Sequence, residues 1–193
     1  VGGRSEVTPR FTRHFNVLCV PPASDEVMVL IFQSILDGFL IKNKFEQDLQ
    51  NMSKGITSGV VEIYNRISAE LLPTPSKFHY TFNLRDISKV FQGMLMVSPR
   101  KLKGTDVMAK LFIHESMRVF YDRLTDRGDQ EWYENLIIEL QGRSVSSSFE
   151  PDQIFGQKPI VFVDFLKPGL DRVEDKASIF YEECSDTGKL KSL

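Results

Sequence analysis

The sequence predicts a mainly α-helical bundle with short extended segments at its ends. Three observations predict it. Apolar residues recur at spacings of three and four through Ile56, Val60, Ile63, Ile67 and Leu71, the period of a helix with one buried stripe. Helix-opening side chains stand ahead of apolar runs at Ser24 and Asn83. Prolines at 73, 75 and 99 punctuate the runs, because proline breaks a helix and pushes its predecessor into extended geometry.

Ser24-Asp25-Glu26 supplies a cap and an acidic first turn for a helix carrying Val27, Leu30, Ile31, Ile35 and Phe39. That helix is apolar on more than one face, so a central position is expected for it. The Ile56–Leu71 stripe gives the second helix, and Pro73-Thr74-Pro75 ends it with an extended break. The third runs from Asn83 as N-cap through Ile87, Val90, Phe91, Met94 and Leu95 to a stop near Pro99. A fourth is expected after Thr105-Asp106, carrying Leu111, Phe112, Met117, Phe120 and Leu124, and a fifth near Asp129 with Trp132, Leu136, Ile137 and Leu140. Their connections are short, as in a bundle.

The composition changes at Arg143-Ser144-Val145-Ser146-Ser147-Ser148, a polar stretch without apolar period, where the main linker is expected. Beyond it, Pro159-Ile160-Val161-Phe162-Val163-Asp164-Phe165 has the β-branched and aromatic content of a short strand, with no partner visible in the sequence.

At 193 residues and 41% hydrophobic content the chain has material for one large core or two small ones. A net charge of −2 offers no basic stripe for nucleic acid, and no apolar stretch is long enough to cross a bilayer, so neither partner is expected. Two cysteines, Cys19 and Cys184, have no metal-like spacing and read as unpaired thiols of a reducing compartment. His114-Glu115-Ser116-Met117-Arg118 begins like a zinc-protease helix, but Arg118 stands where the second histidine must be, so no metal site is expected. His14 and His79 have aromatic neighbours and no nearby acid or nucleophile that would make a catalytic triad legible.

Asn83-Leu84-Arg85-Asp86 places an arginine in the first turn of a helix, where the helix dipole favours anions instead. A guanidinium there has two readings: an ion pair with Asp86 or another carboxylate, or a contact to phosphate. The peptide resembles the second-sensor segment of an AAA+ ATPase. The longer run Phe78-His79-Tyr80-Thr81-Phe82-Asn83-Leu84-Arg85-Asp86-Ile87-Ser88-Lys89-Val90-Phe91-Gln92-Gly93, within residues 72–93, resembles the third AAA+ module of dynein heavy chains, most closely the axonemal ones.

Two further segments resemble the same family in the right order. Gly2-Gly3-Arg4-Ser5-Glu6-Val7-Thr8-Pro9-Arg10-Phe11-Thr12-Arg13-His14-Phe15-Asn16 is similar to its glycine-rich turn, short helix and last core strand, with Ser5-Glu6 where the family has Asn-Pro. His114-Glu115-Ser116-Met117-Arg118-Val119-Phe120-Tyr121-Asp122-Arg123-Leu124 is similar to a downstream lid helix, and Ile179–Asp186 resembles the lead-in to the next module.

The resemblance implies a division into the end of an α/β large subdomain (1–22), a helical AAA+ lid (23–143) and a linker with lead-in (144–193), including a strand at His14–Val20. Because the chain opens inside a glycine-rich turn, it reads as a piece of something longer. The implied parent is an AAA+ ATPase and microtubule motor that binds ATP or ADP with Mg²⁺ and works in the cytoskeleton of a cilium or flagellum. Its expected partners are neighbouring AAA+ modules, microtubules and other dynein subunits.

Hydrolysis needs a P-loop and acidic residues that hold Mg²⁺ and orient water. Gly188-Lys189 does not supply the loop, since Glu183 replaces its first glycine and Leu190 its Ser/Thr, so the 193 residues are not expected to be catalytic alone. They can instead lend arginines to sites completed elsewhere, and an arginine brought to a transferring phosphoryl group is worth about 10³–10⁵ in rate.

By resemblance, Arg85 is the sensor acting in cis and Arg10 the finger acting in trans. Arg13 is a second finger candidate that could equally pair with an acidic neighbour. Arg4 could join the glycine turn in an anion-binding nest or simply stabilise the turn. The alternative for the whole chain is a non-catalytic helical spacer of an AAA+ ring, which the acidic Glu6 near a phosphate site would favour.

Overall fold

A computed structural model describes residues 7–145, 148–156, 160–165 and 180–184. The expected glycine turn with Arg4, the Ser5-Glu6 pair and Gly188-Lys189 lie outside these residues. Within them the chain is mainly helical, as the sequence predicts.

The first helix, α1, is the short Pro9–Thr12, opened by proline at its first position, where the missing N–H costs nothing. Phe11 and Phe15 stack at 5.2 Å between ring centres. The expected strand at His14–Val20 is not formed; these residues are irregular and exposed. A strand needs a ladder partner for its backbone groups, and none is present for this segment among the described residues.

Helix α2, Asp25–Lys42, starts where expected, with the Ser24 hydroxyl accepting from the Val27 amide at 3.4 Å. Its buried stripe is Met28, Phe32, Leu36 and Leu40, whereas Val27, Leu30, Ile31 and Ile35 face outward, Leu30 being 66% exposed. The expectation that this helix is central is therefore corrected. It carries two apolar stripes, and only the one facing α4 (Ser53–Glu70) and α5 (Leu84–Met94) is covered. The short α3, Gln47–Asn51, was not expected; it buries Leu49 in the turn between α2 and α4.

The helix at the centre is α4. Ile56, Val60, Ile63 and Ile67 are wholly buried on the predicted stripe, and α4 packs against α2 and against α7, Arg127–Ser144. Gly55 and Gly59 permit the close approach of α7, since a Cβ on Gly55 would lie 1.9 Å from the Ser144 carbonyl oxygen. Across the same seam Arg143 holds Glu62 at 2.9 Å and Arg66 holds Glu139 at 2.9 Å. The α5 helix joins this core through the parallel stacking of Phe91 on Phe32, 4.9 Å between ring centres.

Helix α6, Thr105–Val119, begins at Thr105 itself, after Gly104 with φ of +84°, a backbone angle that suits glycine. Phe120 and Leu124 are buried as expected, but the helix has ended before them and a 3₁₀ turn, Tyr121–Arg123, carries the chain round. In α7 the fully buried aromatic is Tyr133, one residue along from the expected Trp132. After α7 the chain stays on the bundle. Gln141 exchanges two hydrogen bonds with the Phe149 backbone, and Ile154 of α8, Pro151–Phe155, is wholly buried.

The strand expected near residues 159–165 is β1, Phe162–Val163, and its antiparallel partner is β2, Glu182–Glu183. Lys110 holds Glu183 at 2.7 Å and Lys101 holds Glu182 at 2.5 Å, while Tyr181 bridges to Val97. The Tyr181 hydroxyl donates to Glu115, a carboxylate with no solvent exposure whose other oxygen accepts from Arg118 at 2.8 Å. Cys19 is exposed, Cys184 is buried beside β2, and no disulfide joins them.

Glu115 is accommodated because α5 presents Gly93 to it. A Cβ at that position would lie 1.9 Å from the carboxylate oxygen. Gly93→Ala is expected to cost about 3 kcal/mol, since it overpacks the seam and displaces a buried, paired charge; thermal unfolding of the variant beside wild type measures it.

Candidate functional site

The site is the edge of the bundle where the segment from Pro73 to Asn83 feeds into α5. Lys77 starts it with a turn, its amide donating to the Thr74 carbonyl at 3.0 Å. The Lys77 ammonium spans Asp126, the residue before α7, at 2.9 Å and Asp129, in the first turn of α7, at 2.5 Å. Hydrogen bonds to Asp126 and Asp129 hold its pKa well above the usual lysine value, against the opposing effect of burial. The buried Tyr80 donates its hydroxyl to Asp129 at 2.8 Å and accepts from the Thr125 amide at 3.1 Å. A His79 ring nitrogen lies 3.1 Å from the Arg123 carbonyl; a carbonyl only accepts, so Nε2 carries the proton.

Arg123 is the residue on which these contacts converge. Its guanidinium donates to both oxygens of Asp86, at 2.8 and 3.3 Å, and to the Thr81 carbonyl at 3.3 Å. It also lies over the Phe82 ring, 5.1 Å from the centre. Asp86 is 2% exposed and closes the capping box at the start of α5 by accepting from the Asn83 amide at 3.0 Å. Burial alone would raise the Asp86 pKa, but hydrogen bonds from Arg123 and the Asn83 amide, with the charges of Arg123 and Lys89, bring it below the ordinary value.

Arg85 therefore sits in a first turn whose backbone is fixed on both sides. Its amide donates to the Asn83 side chain at 2.9 Å. Its own side chain is exposed, and among the described residues the guanidinium has no carboxylate or carbonyl partner. The ion pair with Asp86 that the sequence leaves open is not formed, because Arg123, the Asn83 amide and Lys89, at 3.4 Å, already occupy that carboxylate. The arrangement can present, from a fixed stretch of backbone, a cation without a partner among the described residues to an anion brought from outside the bundle.

Arg10 is exposed on α1 and has no ion-pair partner among the described residues. Arg13 donates to His14 Nε2 at 2.9 Å, and among the described residues it meets no carboxylate, so the acidic pairing left open for it is not formed there. No hydrogen bond or ion pair among the described residues joins these two to the Arg85 edge. His114 lies against the Ile160 carbonyl at 3.1 Å, and Glu115 is taken by Arg118 and Tyr181. Among the described residues no three His, Cys, Asp or Glu side chains converge as a metal-ligand set, and no helix is long and apolar enough to cross a membrane.

Arg123 carries no sequence signal. It follows an apolar-periodic run, and nothing in that spacing links it to a carboxylate 37 positions earlier. Because the folded-state pKa of Asp86 is depressed, its stabilisation is present above the ordinary aspartate value of about 3.9 and is lost as pH falls through the folded value. Asp86→Asn is expected to cost about 2–3 kcal/mol at pH 7. Its deficit against wild type should shrink steadily below about pH 4 in a pH series of thermal unfolding.

Comparison with known proteins agrees with this architecture. The sequence model of the AAA+ lid domain matches residues 46–150, from the turn before α3 to the residue preceding α8. Dynein axonemal heavy chain 6 of Homo sapiens is 41% identical over 192 residues, covering all of this chain and 4% of that relative. Dynein axonemal heavy chain 12 of Mus musculus is 39% identical over 183 residues, and its Homo sapiens counterpart 45% over 183, each covering 88% of this chain and 6% of the relative. The chain thus spans a small part, 4–6%, of the relatives it matches. With more than half its length matched by one family, the chain belongs to the AAA+ lid domain family and is similar along its whole length to axonemal dynein heavy chains.

Proposed function

We propose that this chain is the helical lid, with flanking segments, of the third AAA+ module of an axonemal-type dynein heavy chain, and that Arg85 senses the nucleotide of that module. The observation that carries the reading is the Arg85 guanidinium, without a partner among the described residues, in a first turn whose one carboxylate is already committed to Arg123. A phosphate is the anion that suits an exposed, planar, permanently charged donor held at a helix start.

In this reading ATP or ADP, with Mg²⁺, is held by a P-loop core outside these residues, and the bound nucleotide supplies the phosphate charge. Arg85 reaches that phosphate in cis from the lid, and Arg10 reaches the neighbouring site in trans, with Arg13 the weaker candidate. Loss or gain of the γ-phosphate changes the pull on Arg85 and moves the lid as a block, because the core of α2, α4 and α7 is packed too closely to deform locally. The parent is then an ATP-driven microtubule motor of the ciliary or flagellar axoneme, and this module regulates its ring. The lid alone does no chemistry.

Arg85→Ala in the intact motor tests this. A lost charge-assisted contact to phosphate should weaken nucleotide binding at this module by roughly 10- to 100-fold and slow microtubule gliding. The control is Arg100→Ala, an exposed arginine with no ion pair among the described residues; Lys89 is unsuitable because it touches Asp86. Equal gliding and ATPase rates for Arg85→Ala, Arg100→Ala and wild type would leave a spacer as the better description.

A further inference from the structure

We infer that Arg123 is the positioning residue for Arg85: it sets the direction of the first turn of α5, and so decides whether the Arg85 guanidinium stands where an anion can meet it. The inference rests on the sensing role proposed for Arg85 and assigns a residue to it that touches no phosphate itself.

The geometry brackets Arg85 in the chain. Arg123 reaches back to the Thr81 carbonyl, before the cap, and forward to both Asp86 oxygens, immediately after Arg85. Asp86 in turn holds the Asn83 amide, and Asn83 holds the Arg85 amide, so the backbone at 83–86 is fixed by one connected set of bonds. A lysine could neutralise Asp86, but it cannot fork onto two oxygens and a carbonyl while lying over the Phe82 ring.

Arg123 is itself held at both ends. Its carbonyl accepts from His79, and its guanidinium lies on Phe82, both belonging to the segment that it positions. The 3₁₀ turn Tyr121–Arg123 and the Tyr80 hydroxyl bonded to the Thr125 amide keep its backbone against that segment. Lys89 is the other cation at Asp86, but it makes a single contact at 3.4 Å and is half exposed. The orientation of Arg85 therefore depends on Arg123 far more than on Lys89.

The test is a double-mutant cycle in the intact motor, reading the ATP concentration for half-maximal microtubule gliding separately from maximal speed. Arg123→Gln should shift the half-maximal ATP concentration in the same direction as Arg85→Ala, by between about one third and the whole of that shift. Arg123→Lys should fall between Arg123→Gln and wild type. In combination with Arg85→Ala, Arg123→Gln should add nothing, because there is no guanidinium left to position.

If the two shifts multiply in the double variant, Arg123 acts independently of Arg85 and the inference is overturned. It is also overturned if Arg85→Ala shifts the value and Arg123→Gln does not. A wild-type response from Arg85→Ala itself instead removes the sensing role, and the positioning role with it. Asp86→Asn, which keeps the shape of the side chain while removing the charge, supplies the same comparison should Arg123→Gln fail to assemble.

Discussion

A carboxylate taken out of water must be matched by hydrogen bonds and opposite charge, and Asp86 is matched on every side. Arg123 takes both its oxygens, the Asn83 amide takes one, and Lys89 approaches at 3.4 Å. Breaking such a pair from one side leaves an uncompensated charge. The segment from Lys77 to Asn83, the turn at Tyr121–Arg123 and the start of α5 consequently behave as one unit. The orientation of Arg85 follows from that unit and from no contact of its own side chain.

A second buried carboxylate does comparable work at the other end of the same helix. Glu115 of α6 lies against Gly93 of α5 and is satisfied by Arg118 and by the Tyr181 hydroxyl. Arg118 also donates to the Lys89 carbonyl of α5 at 3.3 Å. The strand pair β1 and β2 is thereby attached to the α5–α6 layer through a polar contact to a buried carboxylate, in addition to the half-buried pairs at Lys101 and Lys110. Helix α5 is held by charge at its start and near its end, and by the aromatic stack of Phe91 on Phe32 between them.

The helices with a single apolar stripe were legible. In α4 and α5 one face is apolar and the other polar, so period and burial coincide, and Ile56, Val60, Ile63, Ile67, Ile87, Val90 and Phe91 are all buried. Helix α2 was misread on its faces because it has two apolar stripes; sequence period locates both, and only the position of α4 decides which is covered. Tyr133 and Trp132 are adjacent aromatics, and the hundred degrees of turn between them settles which one is enclosed. The site was legible to the same degree. Asn83, Arg85 and Asp86 are local in the chain, so their capping arrangement could be anticipated, whereas Arg123, Tyr80 and Asp129 meet only after folding.

By itself the sequence determined the helical class, the caps at Ser24 and Asn83, the break at Pro73 and Pro75, and the placing of an arginine in a helix first turn. Those are local properties, governed by residues within one or two turns of each other. The tertiary structure alone decided that Asp86 belongs to Arg123 and not to Arg85, that β1 pairs with Glu182–Glu183, and that Gly93 faces Glu115. Each of these is a choice among distant partners of equal chemical suitability, made by the packing of helices whose side chains bring one partner within reach and leave the others in water.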